Sequence, residues 1–175
     1  MRRYFEACSS AAALCVTLTL ALILIFVVFP AVPIGGEVLD AKGRYTYGEA
    51  LAALQGYGET GRETYAWASA TLDTLLPLLY VSFLAGLVYR CRPTDRSWRL
   101  AYLPVVVGVI DLGENVQIVL MLTTYPDISA GQVAIASLFT SCKGHAALIC
   151  LTLAITLAVV SWIRRVHTRI RDDLG

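Results

Sequence analysis

Five strongly polar side chains stand where the chain is otherwise apolar: Asp73, then Asp111, Glu114 and Asn115 close together, then Lys143. Carboxylates, an amide and an ammonium in such surroundings can bind a proton or cation, work as an acid/base pair, or close ion pairs between helices. Asp111 to Glu114 is i, i+3 and Asp111 to Asn115 is i, i+4, so all three share one helix face. Gly108 lies on that face and allows a neighbouring helix to approach. Upstream, Ala66, Ser69, Ala70, Asp73, Pro77 and Tyr80 form a stripe of mostly small or polar residues. Pro77 has no N–H, so the carbonyl of Asp73 loses its helical partner and needs a polar group or water instead. Downstream, Ala136, Thr140, Lys143 and Ala147 form another small stripe, the kind that marks helix–helix contact in membranes. The candidate binding cluster is therefore Asp73, Tyr80, Asp111, Glu114, Asn115 and Lys143.

The elements that carry these residues read as membrane spans. The chain is 57% hydrophobic and 15% charged, against about 25% charged in a typical soluble domain. Charges cluster between long apolar runs, which predicts one transmembrane domain over 1–175, with spans near 10–30, 61–90, 98–125 and 130–162. The apolar run of the first span is too long for a signal-peptide core, which predicts an uncleaved anchor. Between spans one and two, Thr46 to Glu49 is a capping-box pattern, followed at helical spacing by Tyr47, Ala50, Leu51 and Leu54 and stopped at Gly56. It predicts a short amphipathic helix against the outer membrane face, within an outer loop over 31–60. Thr60 to Glu63 and Ser129 to Gln132 predict capping boxes that open the second and fourth spans. Residues 163–175 read as a polar cytoplasmic tail. The expected fold is an all-α integral membrane four-helix bundle with one interfacial helix.

Depth makes the cluster informative. Asp73 lies roughly 15 Å in from its end of the second span, near the midplane, and Asp111, Glu114 and Lys143 fall at similar depth. Each charge there costs at least about 2.5–3.5 kcal/mol facing lipid, so the acids must be paired, protonated or wetted. The simplest assembly gathers the polar faces of spans two, three and four around one centre. The first span has no ionisable residue in its apolar core and is expected outside it. Three acids against one lysine require at least one carboxyl to keep its proton at neutral pH.

Ten of the 14 lysines and arginines fall at the N-terminus, in the loop between spans two and three, and in the tail. By the positive-inside rule those segments, and both termini, are cytoplasmic. The bias excludes a dual-topology exporter. Tyr57, Tyr65, Trp67 and Tyr125 near one boundary, and Tyr89, Trp98, Tyr102 and Trp162 near the other, predict aromatic belts. The basic loop and tail are expected to meet lipid headgroups and not nucleic acid. Twelve arginines against two lysines fit a GC-rich gene and a bacterial inner membrane. Cys8, Cys15, Cys91, Cys142 and Cys150 include no C-x-x-C pair, so free thiols are expected and a thiol oxidase is excluded. His145, on the side of Ser141 and Cys142, is expected to be buried and hydrogen-bonded to a neighbour. His167 is at the membrane edge, so a bis-histidine haem site is excluded, and no metal or other cofactor is expected.

Gly61-Arg62 with Tyr65, Asp73, Pro77 and Tyr80, then Asp111-x-x-Glu114-Asn115, then Thr140-x-x-Lys143, resembles a pattern in uncharacterised four-span bacterial membrane proteins over residues 60–150. The resemblance implies no activity. Three functions remain open. The centre could bind a proton, cation or small molecule for binding or transport, for which four spans call for a homo-oligomer or a partner membrane protein. It could be the ion-pair network of a structural or assembly subunit. It could serve an enzyme acting on a lipid-like substrate, although G-x-S-x-G, H-E-x-x-H and aspartate-rich phosphotransferase patterns are all missing. The surplus of acid over base favours the first.

Overall fold

A computed structural model of the chain describes residues 1–174, with side chains through residue 172. It is all-helical, with no strand among the described residues. Its α-helices are α1 (Arg2–Cys8), α2 (Ala11–Ile23), α3 (Tyr47–Gly56), α4 (Gly58–Arg90), α5 (Tyr102–Thr124) and α6 (Ala130–Leu174). Four helical segments are long and apolar enough to cross a membrane: Ala11–Ala31, Gly58–Arg90, Asp95–Thr124 and Ala130–Asp172. The first and third run past α2 and α5, because α2 continues through a wider turn and a tight 3-10 turn at Phe29–Ala31, and a 3-10 stretch at Asp95–Ala101 leads into α5.

α5 packs against both α4 and α6, and α4 also touches α6. α2 lies at the periphery against α4, as expected from its uniformly apolar sequence. Close approaches fix these neighbours. A Cβ at Gly108 would lie 2.6 Å from Val81 Cγ2 on α4, and one at Gly113 would lie 2.5 Å from the Phe139 ring on α6. Only glycine allows such contact.

Two apolar cores sit at opposite ends of the helices. At the loop end, Leu39, Tyr45, Ala50, Leu54, Tyr65, Met121 and Val133 pack together. At the end carrying α1, Phe5 is fully buried among Ala85, Val88, Tyr89, Ala101 and Ala154, with its ring against Trp98 and Tyr102.

Several expectations need correction. α3 has the expected capping box: Thr46 N–H donates to Glu49 Oε2 at 2.6 Å and Glu49 N–H to Thr46 Oγ1 at 3.3 Å. The Thr46 N–H and the Thr46 hydroxyl, both donating to Glu49 Oε2, hold the exposed Glu49 carboxyl below its usual range. Ala50 and Leu54 of its apolar stripe are buried in the loop-end core, while Tyr47 of the same stripe stays exposed. Thr60 to Glu63 is no capping box. Gly58, at φ +66, turns the chain straight out of α3, and α4 has begun before Thr60 is reached. Ser129 does cap α6, accepting from Gln132 N–H at 3.1 Å. The expected tail is a continuation of α6, because no proline or glycine stands between Arg164 and Leu174. Of the expected aromatic belts, Trp67 and Trp162 face outward, whereas Tyr57, Tyr65 and Tyr89 are buried inside the protein.

Phe5→Ala removes the centre of one core. It should lower stability in detergent by about 3–5 kcal/mol, whereas Trp162→Ala, on an exposed ring, should stay within about 0.5 kcal/mol of wild type. Thermal unfolding of the two variants checks this. Equal losses would mean that α1 is not docked as described.

Candidate functional site

Between the two cores, each of α4, α5 and α6 contributes polar residues at the same level. On α5, Asp111, Glu114 and Asn115 are all buried, Glu114 completely. Their i, i+3 and i, i+4 spacing turns all three inward, as expected. On α6, Lys143 follows Ala136 and Thr140 on the inward stripe, which continues to Cys150 and Ala154. Its ammonium forms an ion pair with Glu114 Oε2 and lies 3.3 Å from Asp111 Oδ1. The second Asp111 oxygen accepts the Tyr80 hydroxyl of α4 at 2.8 Å. One lysine thus serves two carboxylates, and one tyrosine ties the third helix to them.

α4 joins through its backbone as well. Pro77 deprives the Asp73 carbonyl of its i+4 donor, and Asn115 Nδ2 donates to that carbonyl at 2.7 Å. The buried amide therefore has a defined role in the packing of α4 on α5. The sequence shows the need for a donor there, and the structure supplies it.

Asp73 departs from the expected assembly. It makes no ion pair with Lys143; its carboxylate takes only a long bond from Ser69 Oγ, at 3.4 Å. It lines a loop-end cavity of about 240 Å³ with Asp40, Tyr65, Phe29 and Ile34. Ala70, from the same stripe, is exposed and borders a mostly apolar groove of about 390 Å³ between α4 and α5. His145 is exposed and not buried, because its face of α6 points away from the other helices; its Nδ1 lies 2.7 Å from the Ser141 carbonyl oxygen. All five cysteines are free. No group of three or more His, Cys, Asp or Glu is arranged to hold a metal among the described residues.

Sequence reasoning missed the contribution of the loop before α3. Leu39 N–H donates to Tyr65 Oη at 3.1 Å, and the Tyr65 hydroxyl donates to Asp40 Oδ1 at 2.7 Å. Tyr45 N–H donates to Ser137 Oγ on α6 at 3.0 Å, which pins the loop over the end of the helices. The Tyr45 ring is buried, and burial pushes its hydroxyl up to about 12, so it stays neutral at physiological pH. One signal was available: Tyr45 precedes the N-cap Thr46, the position of a hydrophobic staple, and its staple partner Ala50 belongs to the same core.

Comparison of the chain with protein families, with curated proteins and with solved structures found no match.

Asn115→Ala should cost about 1–3 kcal/mol, the penalty for an orphaned buried carbonyl. In a Pro77→Ala background the helical N–H returns and the same change should cost about 1 kcal/mol less. A double-mutant cycle read by unfolding in detergent checks the coupling. Additive losses would show that Asn115 does not serve the Asp73 carbonyl.

Proposed function

We propose that the chain is a multi-pass protein of a bacterial inner membrane that crosses the bilayer four times, with both termini in the cytoplasm, and that its buried centre binds a proton. The apolar outer faces of the four long helices support insertion. Phe26, Val27, Leu148, Ile149 and Trp162 are all exposed large apolar side chains. The clustering of ten of 14 basic residues supports the orientation.

The observation that carries the proton reading is the sharing of Lys143 between Asp111 and a fully buried Glu114. One positive charge against two carboxylates leaves one negative charge in a medium that solvates it poorly. Asp73 adds a third acid with no cationic partner among the described residues. Asp40 faces the same region from the loop, through the cavity it shares with Asp73. A bound proton neutralises the surplus, and its release and return give the centre a cycle that transport or sensing can use.

The same ion pairs join α5 to α6, which favours a second reading, an assembly subunit whose cluster only holds helices together. An enzyme acting on a lipid has no catalytic motif in the sequence to support it.

Infrared titration of carboxyl groups in the purified protein separates the two. The proton reading expects a carboxyl that titrates between roughly pH 5 and 9, well above the free-carboxyl range, and whose signal changes in Asp73→Asn or Glu114→Gln. If no carboxyl titrates in that window, the cluster is a fixed ion-pair network and the structural reading stands.

A further inference from the structure

The loop-end cavity, of about 240 Å³, is a space that the ion pairs of Lys143 do not use. Three parts of the chain wall it: Phe29 at the end of the first long helical segment, Val38 and Asp40 of the loop, and Tyr65, Asp73 and Leu76 of α4. Most of its lining is apolar, and its polar groups are two carboxylates and a phenol. The tyrosine is held in place by the Leu39 N–H at 3.1 Å and donates its hydroxyl to Asp40 Oδ1 at 2.7 Å, which fixes that carboxylate. Asp73 takes only the bond from Ser69 Oγ, and 3.4 Å is long for a hydroxyl donor. Neither acid forms an ion pair among the described residues. The lysine of the loop, Lys42, turns to Glu37 instead, at 3.7 Å. Two acids on one largely apolar cavity, with no basic side chain to meet them, call for a positive charge from outside the chain.

Size and lining choose the class of that charge. A dry cavity of about 150 Å³ accommodates benzene, so this one has room for a small ring and a short charged arm but not for a lipid. A hard divalent ion takes about six oxygen ligands, and the apolar walls offer too few. A pocket that is mostly apolar with a few fixed polar groups is the ordinary setting for a small organic ligand. The three N–H donors of a primary ammonium can serve both carboxylates from one point through charge-assisted hydrogen bonds. We propose that the loop-end cavity binds a small primary amine in its ammonium form. Asp40 and Asp73 hold the charge, and Phe29, Val38 and Leu76 hold the apolar body. The site goes beyond the proton reading, because it stands on acids that make no pair with Lys143 and needs no proton at Glu114.

The test is equilibrium dialysis of the full chain in detergent at neutral pH against benzylammonium chloride, with a detergent-only blank. Uptake should saturate at one molecule per chain above the blank. Benzyl alcohol, of the same shape without the charge, should bind about tenfold or more weakly. Asp73→Asn and Asp40→Asn should each weaken benzylammonium by a similar factor. Glu37→Gln removes an exposed acid of the same loop that does not line the cavity, and it should leave binding unchanged. Val38→Trp fills the cavity and keeps both acids, so it should abolish binding, and it carries the test if an aspartate variant fails to fold. No saturable uptake above the blank would overturn the site. So would equal binding of benzyl alcohol, or a Glu37→Gln loss as large as the aspartate losses. Carboxyl titration without amine reads the proton centre separately, so either idea can fail alone.

Discussion

The contact on which the structure depends is the ammonium of Lys143 set between two carboxylates of α5. The loop-end core and the α1-end core lie above and below it. Removing one partner from such a buried group costs about 3–5 kcal/mol, because the remaining charge has neither water nor a counter-ion. The packing around the centre follows from the need to keep these side chains close. Gly113 lets the Phe139 ring of α6 approach α5 one residue before Glu114, and Gly108 lets Val81 of α4 approach one turn before Asp111. The Tyr80–Asp111 hydrogen bond then brings α4 into the same network.

A second constraint acts on the backbone. Pro77 opens a gap in the hydrogen bonding of α4, and the Asn115 amide fills it from α5. The two constraints reinforce each other, since Asn115 and Glu114 are adjacent and move together on one helix. The loop before α3 closes the assembly from one end. Tyr45 and Leu39 are buried, and the Ile34 carbonyl rests where any side chain at Gly61 would stand. The polar centre is thus held from three helices and covered by a loop.

Much of this was legible in the sequence, because polar residues in apolar runs stand out and helical spacing fixes their faces. The cluster on α5, the inward stripe around Lys143, and the need for a donor at the Asp73 carbonyl could all be read directly. Other features could not. Buried and outward-facing positions are both apolar in such helices, so Ala70 and His145 were expected inside and lie outside. Composition shows where the apolar run of α6 ends but not where its helix ends, since the segment from Arg164 to Leu174 lacks any breaker. The burial of Tyr45 and the placement of Asp40 near Asp73 arise from contacts between residues far apart in sequence, in a loop without periodicity. α1 is seven residues long and has no side-chain cap, so nothing local announced it.

The most direct measurement is a count of carboxyl protons in the native protein, by infrared difference spectroscopy, for wild type and Lys143→Met at neutral pH. If the centre maintains charge balance in a poorly solvating medium, loss of the ammonium must be made good by uptake of a proton. The variant should then hold one more carboxyl proton than wild type. An unchanged count in a folded Lys143→Met protein would contradict the account, because it would show that the acids at this depth carry their charges without needing neutralisation.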